Sequence, residues 1–140
     1  MKPLKESFIK AKDLDKIKQF YEIEPKDISF DEIKCGDLIV TIDLESIRSS
    51  EYLRIVIDKD LAKKFNISAN YDDLYAVRYN KPSKKFTYIR LNSFKDRWPN
   101  SKYSCAVKYY KTNIDPNKEF KNEKDLIEWL KTYENKLNIK

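Results

Sequence analysis

The stretch 75–91, YAVRYNKPSKKFTYIRL, decides the fold class of this 140-residue chain. Residues 75–79 and 86–91 are rich in aromatic and β-branched side chains, which are typical of β-strands. Between these two runs, Asn80-Lys81-Pro82-Ser83 has the composition of a turn. We therefore predict that the two runs pair as an antiparallel hairpin.

Three further runs have the same β-rich composition: residues 38–42, 53–58 and 103–111. Within 53–58, the period-two alternation of a strand places Leu53, Ile55 and Ile57 on one face and Arg54 on the other. Together with the hairpin, these runs predict a mostly antiparallel sheet of about five strands.

Two amphipathic patterns predict helices on either side of the sheet. Over residues 4–21, apolar side chains recur at spacings of three and four, and Pro3 suits a helix start. Near the C-terminus, Asn122 can cap a helix. Its apolar stripe comprises Leu126, Leu130, Tyr133 and Leu137. The predicted fold class is α+β, with an N-terminal helix, a curled sheet or small barrel, and a C-terminal helix, in a single domain spanning 1–140.

One segment has a family-level resemblance. Gly36-Asp37-Leu38-Ile39-Val40, followed by the strands predicted at 53–58, 75–79 and 86–91, resembles the strand rhythm of SH3-like small barrels. The resemblance covers under half of the chain. It implies a small SH3-like barrel as one form of the sheet, and it implies no functional residues.

Composition removes several classes of chemistry. The sequence has no histidine, one glycine and two cysteines. Without histidine the commonest general base and metal ligand are missing, and one glycine does not suffice for a Gly-rich phosphate loop. Cys35 and Cys105 form no C-x-x-C pair, so we expect reduced thiols, no metal and no cofactor. No apolar run approaches about 18 residues, so we expect a cytoplasmic protein with no membrane contact.

Charge is distributed unevenly along the chain. Residues 81–111 hold nine basic residues, one acid and seven aromatic residues, a formal charge of +8. Residues 21–60 hold eleven acids and five basic residues, a formal charge of −6. Basic side chains interleaved with rings suit a phosphate backbone with exposed bases. The acidic residues, Asp37 among them, are expected to form a solvated face or, alternatively, a surface for a basic partner.

The basic and aromatic window predicts a nucleic-acid interface that is single-stranded or dominated by backbone contacts. At period two, Phe86, Tyr88 and Arg90 share one face of their strand. That row is exposed if Ile89 and Leu91 face the core. The predicted nucleic-acid-binding residues are Lys84, Lys85, Arg90 and Lys108 for phosphates, Phe86, Tyr88 and Tyr110 for stacking on bases, and Arg97 and Trp98 at a turn.

Other functions fit the same residues. Small proteins from AT-rich genomes that lack a catalytic motif are common in phages and mobile elements. Many of them inhibit host defence by binding a protein such as a nucleic-acid-handling effector, anti-CRISPR proteins among them. A histidine-free toxin-type ribonuclease is a second alternative, with Arg90, Lys108, Tyr88 and Tyr110 as candidates. The basic face also fits a simple solvated surface. We expect a non-enzymatic binding protein whose oligomeric state the sequence leaves open.

Overall fold

The computed structural model describes residues 2–3, 20–43, 51–95 and 104–137. The strands are β1 (Lys2–Pro3), β2 (Tyr21–Ile23), β3 (Leu38–Asp43), β4 (Glu51–Asp58), β5 (Leu74–Asn80), β6 (Lys85–Arg90) and β7 (Ser104–Lys111). They form one antiparallel sheet in the spatial order β1-β2-β7-β3-β4-β5-β6. The predicted α+β class is confirmed, and the sheet takes its curled open form.

The helices are α1 (Lys59–Lys64), α2 (Leu91–Phe94), α3 (Pro116–Glu119) and α4 (Glu123–Lys136). Two 3-10 turns, Pro25–Asp27 and Phe30–Glu32, precede β3. The predicted cap of the C-terminal helix is confirmed, because the side-chain oxygen of Asn122 accepts a hydrogen bond from the Asp125 amide at 3.0 Å. The helix predicted over 4–21 lies almost wholly outside the described residues, and its last residue, Tyr21, begins β2.

All five predicted strands are present, and β1 and β2 add two short ones. The predicted hairpin is also confirmed, with Val77 opposite Tyr88 and Tyr79 opposite Phe86. After the hairpin the chain returns to the middle of the sheet, where β7 pairs with both β2 and β3. This order leaves β6 as an edge strand and makes the hairpin accessible from one side of the molecule.

The sheet has two faces, each with its own buried cluster. The helix face, against which α4 packs, carries the larger core: Leu38, Val40, Leu53, Ile55, Ile57, Tyr75, Val77 and Tyr110, joined by Leu126, Leu130 and Tyr133 of α4. The opposite face carries the smaller cluster: Ile39, Val56, Ala76, Ala106 and Tyr109, joined by Ile28, Ile33 and Leu91. Because Arg54 and Arg78 alternate with residues of the larger core, we call this second face the arginine face.

Gly36 fixes the entry to β3. Its φ is +101°, a conformation that L side chains rarely adopt, and a Cβ built there would collide with the carbonyl oxygen of Ile114. The Gly36 amide donates to the Val56 carbonyl at 2.7 Å, and the Thr112 hydroxyl donates to the Gly36 carbonyl at 2.6 Å. The single glycine of the chain therefore stands where three separate segments meet.

The next residue, Asp37, is fully buried. It accepts hydrogen bonds from the Tyr109 hydroxyl, from the Thr112 amide at 3.2 Å and from the Lys34 amide at 3.2 Å. Burial raises the pKa of Asp37 against the opposing effect of these donors. Burial and the adjacent carboxylate also raise the pKa of Tyr109. The network ties the start of β3 to the end of β7.

Candidate nucleic-acid interface

The turn of the β5–β6 hairpin is a concentrated basic surface. Lys81, Lys84 and Lys85 are all exposed there, and we refer to these three as the lysine tip. The segment 81–95 contains five basic residues and no acid. Lys84 adopts a left-handed φ of 54°, which helps close the turn. Two of the predicted phosphate contacts, Lys84 and Lys85, are therefore on the surface, and Lys81 joins them.

Helix α4 brings a further lysine to this hairpin. The Lys131 ammonium lies 5.6 Å from the centre of the Tyr79 ring. Tyr79 in turn packs edge-on against Phe86, with 5.5 Å between ring centroids. Both rings are half-buried, and Phe86 packs against the core of the helix face. Phe86 therefore anchors the hairpin to the core of the helix face, and little of its ring is available for stacking on a base.

The predicted row of Phe86, Tyr88 and Arg90 lies on the helix face. Each residue of the row is paired with a β5 residue whose side chain belongs to, or packs against, the larger core of the helix face. Ile89 and Leu91 do contact a buried cluster, but it is the smaller one of the arginine face. Of the row predicted to be exposed, Tyr88 is exposed, whereas Phe86 and Arg90 are half-buried because the row meets the edge of the larger core.

Tyr88 is the most exposed residue of that row, with 40% of its surface accessible. Its ring packs edge-on against Tyr75, with centroids 5.3 Å apart and an interplanar angle of 76°. This contact holds the ring in place on the edge strand while much of it faces solvent. A fixed, exposed ring beside cationic side chains is the arrangement that lets a base stack regardless of its identity.

Arg90 is half-buried and already has a counter-charge. Its Nε donates to an Asp73 carboxylate oxygen at 3.3 Å, and its guanidinium lies 4.0 Å above the Tyr71 ring. Tyr71 is 60% exposed, so Arg90 holds a second solvent-facing ring close to β6. Tyr71 was not predicted from the sequence, because it lies in a loop where no periodic pattern marks it.

The two predicted residues of β7 do not join the hairpin surface. Tyr110 is 1% exposed, so the prediction that it faces outward was wrong. Its hydroxyl donates to Glu22 at 3.3 Å, and burial with that carboxylate raises its pKa. Lys108 is half-buried opposite Val40. Three strands separate β7 from β6, which at about 4.8 Å per spacing puts them roughly 19 Å apart.

Arg97 and Trp98, predicted to grip the ligand at a turn, lie outside the described residues. In the ranges that the structure covers, no group of His, Cys, Asp or Glu residues is arranged to hold a metal ion. Over the same ranges, no helix is both long and apolar enough to cross a membrane. Cys35 is a free, half-buried thiol, and burial raises its pKa to about 11.

Some acidic residues of segment 21–60 lie on the surface and others lie in the interior. Glu24, Asp27, Asp31 and Glu32 are exposed around the two 3-10 turns, as expected of a solvated face. Asp37 does not belong with them, because it is fully buried and bonded to Tyr109. Grouping Asp37 with the solvated acids was therefore wrong, and the structure gives it a role in holding β3 and β7 together.

A second group of cations lies on the arginine face. Arg54 is 8% exposed, and Arg78 is half-buried beside it. Strand alternation correctly places Arg54 on the face opposite Leu53, Ile55 and Ile57. What alternation does not reveal is that this opposite face is covered as well. The predicted interface did not include Arg54, although its position on the sheet could be derived from the sequence.

Comparisons of this chain with protein-family models, with curated proteins and with solved structures find no match.

Proposed function

We propose that the protein binds nucleic acid by contacts to the phosphate backbone at the lysine tip. The observation that carries this proposal is the exposure of Lys81, Lys84 and Lys85 on an edge hairpin whose segment 81–95 has no acid. Glu134 of α4 interacts electrostatically with Lys81, which leaves the tip with an excess of positive charge. This excess produces a positive potential that attracts a polyanion and releases its counterions on binding.

Two exposed rings farther along β6 favour a single-stranded ligand. Tyr88 is three residues from Lys85, and Tyr71 contacts Arg90, five residues from Lys85, which are about 10 and about 17 Å along an extended strand. Tyr88 and Tyr71 are both exposed, and each is held by a packed neighbour, Tyr75 for the first and Arg90 for the second. Ring faces held close to a basic edge suit unpaired bases, which a duplex keeps stacked inside the helix. In this proposal the lysines hold the backbone and the two tyrosines receive bases.

The proposal is one of binding without catalysis. The ribonuclease hypothesis needed Arg90, Tyr88, Lys108 and Tyr110 around one phosphate. The first two lie on β6, the last two lie on β7, and Tyr110 is buried. A charge-stabilising site requires its donors within hydrogen-bond distance of the same group, so this residue set does not support it.

The test is fluorescence anisotropy with labelled single-stranded DNA, single-stranded RNA and duplex, titrated from about 20 to about 200 mM salt. The key variant carries Lys81→Glu, Lys84→Glu and Lys85→Glu. The charge-matched control carries Lys118→Glu, Lys121→Glu and Lys124→Glu, which are equally exposed. We expect micromolar or tighter binding, at least about a tenfold loss in the tip variant, and a log–log salt slope lower by roughly 2 in magnitude.

Tyr88→Ala should reduce affinity for single strands while leaving the salt slope unchanged, because it removes a stacking platform and no charge. Absence of binding at low salt, or equal losses in the tip and control variants, would refute the proposal. A tight, stoichiometric complex with a nucleic-acid-handling protein and no affinity for free nucleic acid would favour the phage-type inhibitor.

A further inference from the structure

The arginine face brings two guanidinium groups together on neighbouring strands. Arg54 on β4 and Arg78 on β5 lie on the same face, two residues before Val56 and two after Ala76, which are paired. Arg54 Nε donates to the Thr41 hydroxyl at 3.0 Å, and one of its terminal nitrogens donates to the Ala76 carbonyl at 3.4 Å. Hydrogen bonds to neutral acceptors thus hold Arg54 in place without neutralising it.

Arg78 is held differently. Its guanidinium stacks 3.8 Å above the ring of Tyr52, a packing contact that supplies no hydrogen-bond acceptor for its Nε. Thr87 stands directly opposite Arg78 in the β5–β6 register. The Nε of Arg78 and the hydroxyl of Thr87 are both buried, and neither has a hydrogen-bond partner among the residues that the structure describes. Donors on two directly opposite residues are therefore left for a third group that can accept from both.

The charge on this face is not balanced within the parts of the chain that the structure describes. Neither guanidinium forms an ion pair there, and the one ion pair, Arg90 with Asp73, lies elsewhere. Burial and the like charge of Arg78 lower the pKa of Arg54 to about 9. Glu134 on α4 responds electrostatically to Arg78, but it forms no ion pair with it. Buried cations of like sign persist in proteins mainly where an anion compensates them.

We propose that Arg54, Arg78 and Thr87 form a binding site for one phosphate-type oxyanion. Such an ion has several acceptor oxygens and accepts bonds from guanidinium and hydroxyl groups together. It would satisfy the two unpartnered donors and balance the two charges. The exposed Lys85 lies on the same face, two residues from Thr87, and provides a cationic approach to the site.

The site shares only Lys85 with the proposed nucleic-acid interface. Tyr88, Tyr71, Lys81 and Lys84 are not part of it, and it needs only a single anion. Inorganic phosphate and the terminal phosphate of an oligonucleotide carry the same group. The two sources are separated by measuring the affinity for free phosphate and by comparing oligonucleotides of one sequence with and without a 5′-phosphate.

The experiment is thermal unfolding of the full chain in sodium phosphate and in sodium chloride at matched ionic strength. The unfolding temperature should rise with the logarithm of phosphate concentration, as it does for any ligand that binds only the folded state. Thr87→Val, which keeps the shape and removes the hydroxyl, should weaken phosphate binding about tenfold. Arg54→Met should abolish the response and, since it removes a buried charge, leave a folded protein.

The matched control is Arg90→Met, which removes a half-buried arginine from the other face and should keep the phosphate response. The tip variant with Lys81→Glu and Lys84→Glu should also keep it, so failure of the nucleic-acid proposal can be distinguished from failure of this one. Equal stability of the parent protein in phosphate and chloride would overturn the site, with water serving the two donors instead. A phosphate response in Arg54→Met equal to that of the parent protein would also overturn the site, because the response would then be a general salt effect.

Discussion

The two faces of the sheet are built from the same strands but hold different kinds of residue. The helix face is a dry core in which apolar side chains and buried rings pack against α4. The arginine face has a smaller apolar cluster and, on the same face, buried Arg54 and Thr41 and the buried hydroxyl of half-buried Thr87. Apolar burial supplies most folding free energy, whereas buried charge costs free energy. We infer that the helix face supplies stability and that the arginine face retains polar groups for binding.

Truncating one apolar residue on each face gives the largest effect. Leu130 on α4 is 1% exposed within the core of the helix face, whereas Ile89 on β6 is half-buried against the other cluster. Leu130→Ala should lower the free energy of unfolding by about 3 kcal/mol, and Ile89→Ala by about 1 kcal/mol. Denaturant unfolding of both variants measures the difference. Equal losses would mean that the two faces contribute alike and would break the comparison.

The adjacent residues Tyr109 and Tyr110 allow the two faces to be compared by removing one buried hydroxyl from each. Both are buried on β7, on opposite faces, and both hydroxyls donate to carboxylates. Tyr109→Phe leaves the fully buried Asp37 without one of its donors and should cost about 2 kcal/mol. Tyr110→Phe removes a longer bond to half-buried Glu22 and should cost under about 1 kcal/mol. Chemical denaturation checks the order, and a larger loss in Tyr110→Phe would contradict it.

The strands could be predicted from the sequence, but which faces of the sheet are covered could not. β-rich runs, turn composition and period-two patterns identified each strand that the structure describes from residue 38 onward and the pairing of the hairpin, because β propensity and turn composition are local properties. They also showed which residues share a face. They did not show which face is covered, because that depends on where distant helices and 3-10 turns pack. Tyr110 was misassigned for this reason, since β7 is central and covered on both sides.

The candidate site was partly predictable for the same reason. Lys84, Lys85 and Tyr88 lie in or beside a turn that the sequence marks clearly, and all three are exposed. Tyr71 and Lys131 reach the hairpin only through the tertiary fold, from a loop and from α4. No sequence spacing links them to residues 81–90. Residues that are brought together from distant segments could be found only once the sheet order was known.

The smallest expected effect concerns the pH dependence of Asp37. Because the folded state raises the pKa of this carboxyl, the folded chain holds its proton more readily than the unfolded chain does. The stability that Asp37 contributes is therefore fully present below its unfolded pKa of about 3.9 and is lost as pH rises through the folded value. Asp37→Asn removes this titration, so in the variant the contribution of residue 37 to stability no longer depends on pH.

The measurable quantity is the difference in unfolding free energy between the parent protein and Asp37→Asn across a pH series. This difference should fall as pH rises from below the unfolded pKa through the raised folded pKa, and then stay level toward neutral pH. A difference that increased with pH would mean that the donors from Tyr109, Thr112 and Lys34 outweigh burial. The hydrogen bonds would then stabilise the ionised carboxylate. In that case the buried polar groups beside β3 would be better explained as a binding site than as a link between β3 and β7.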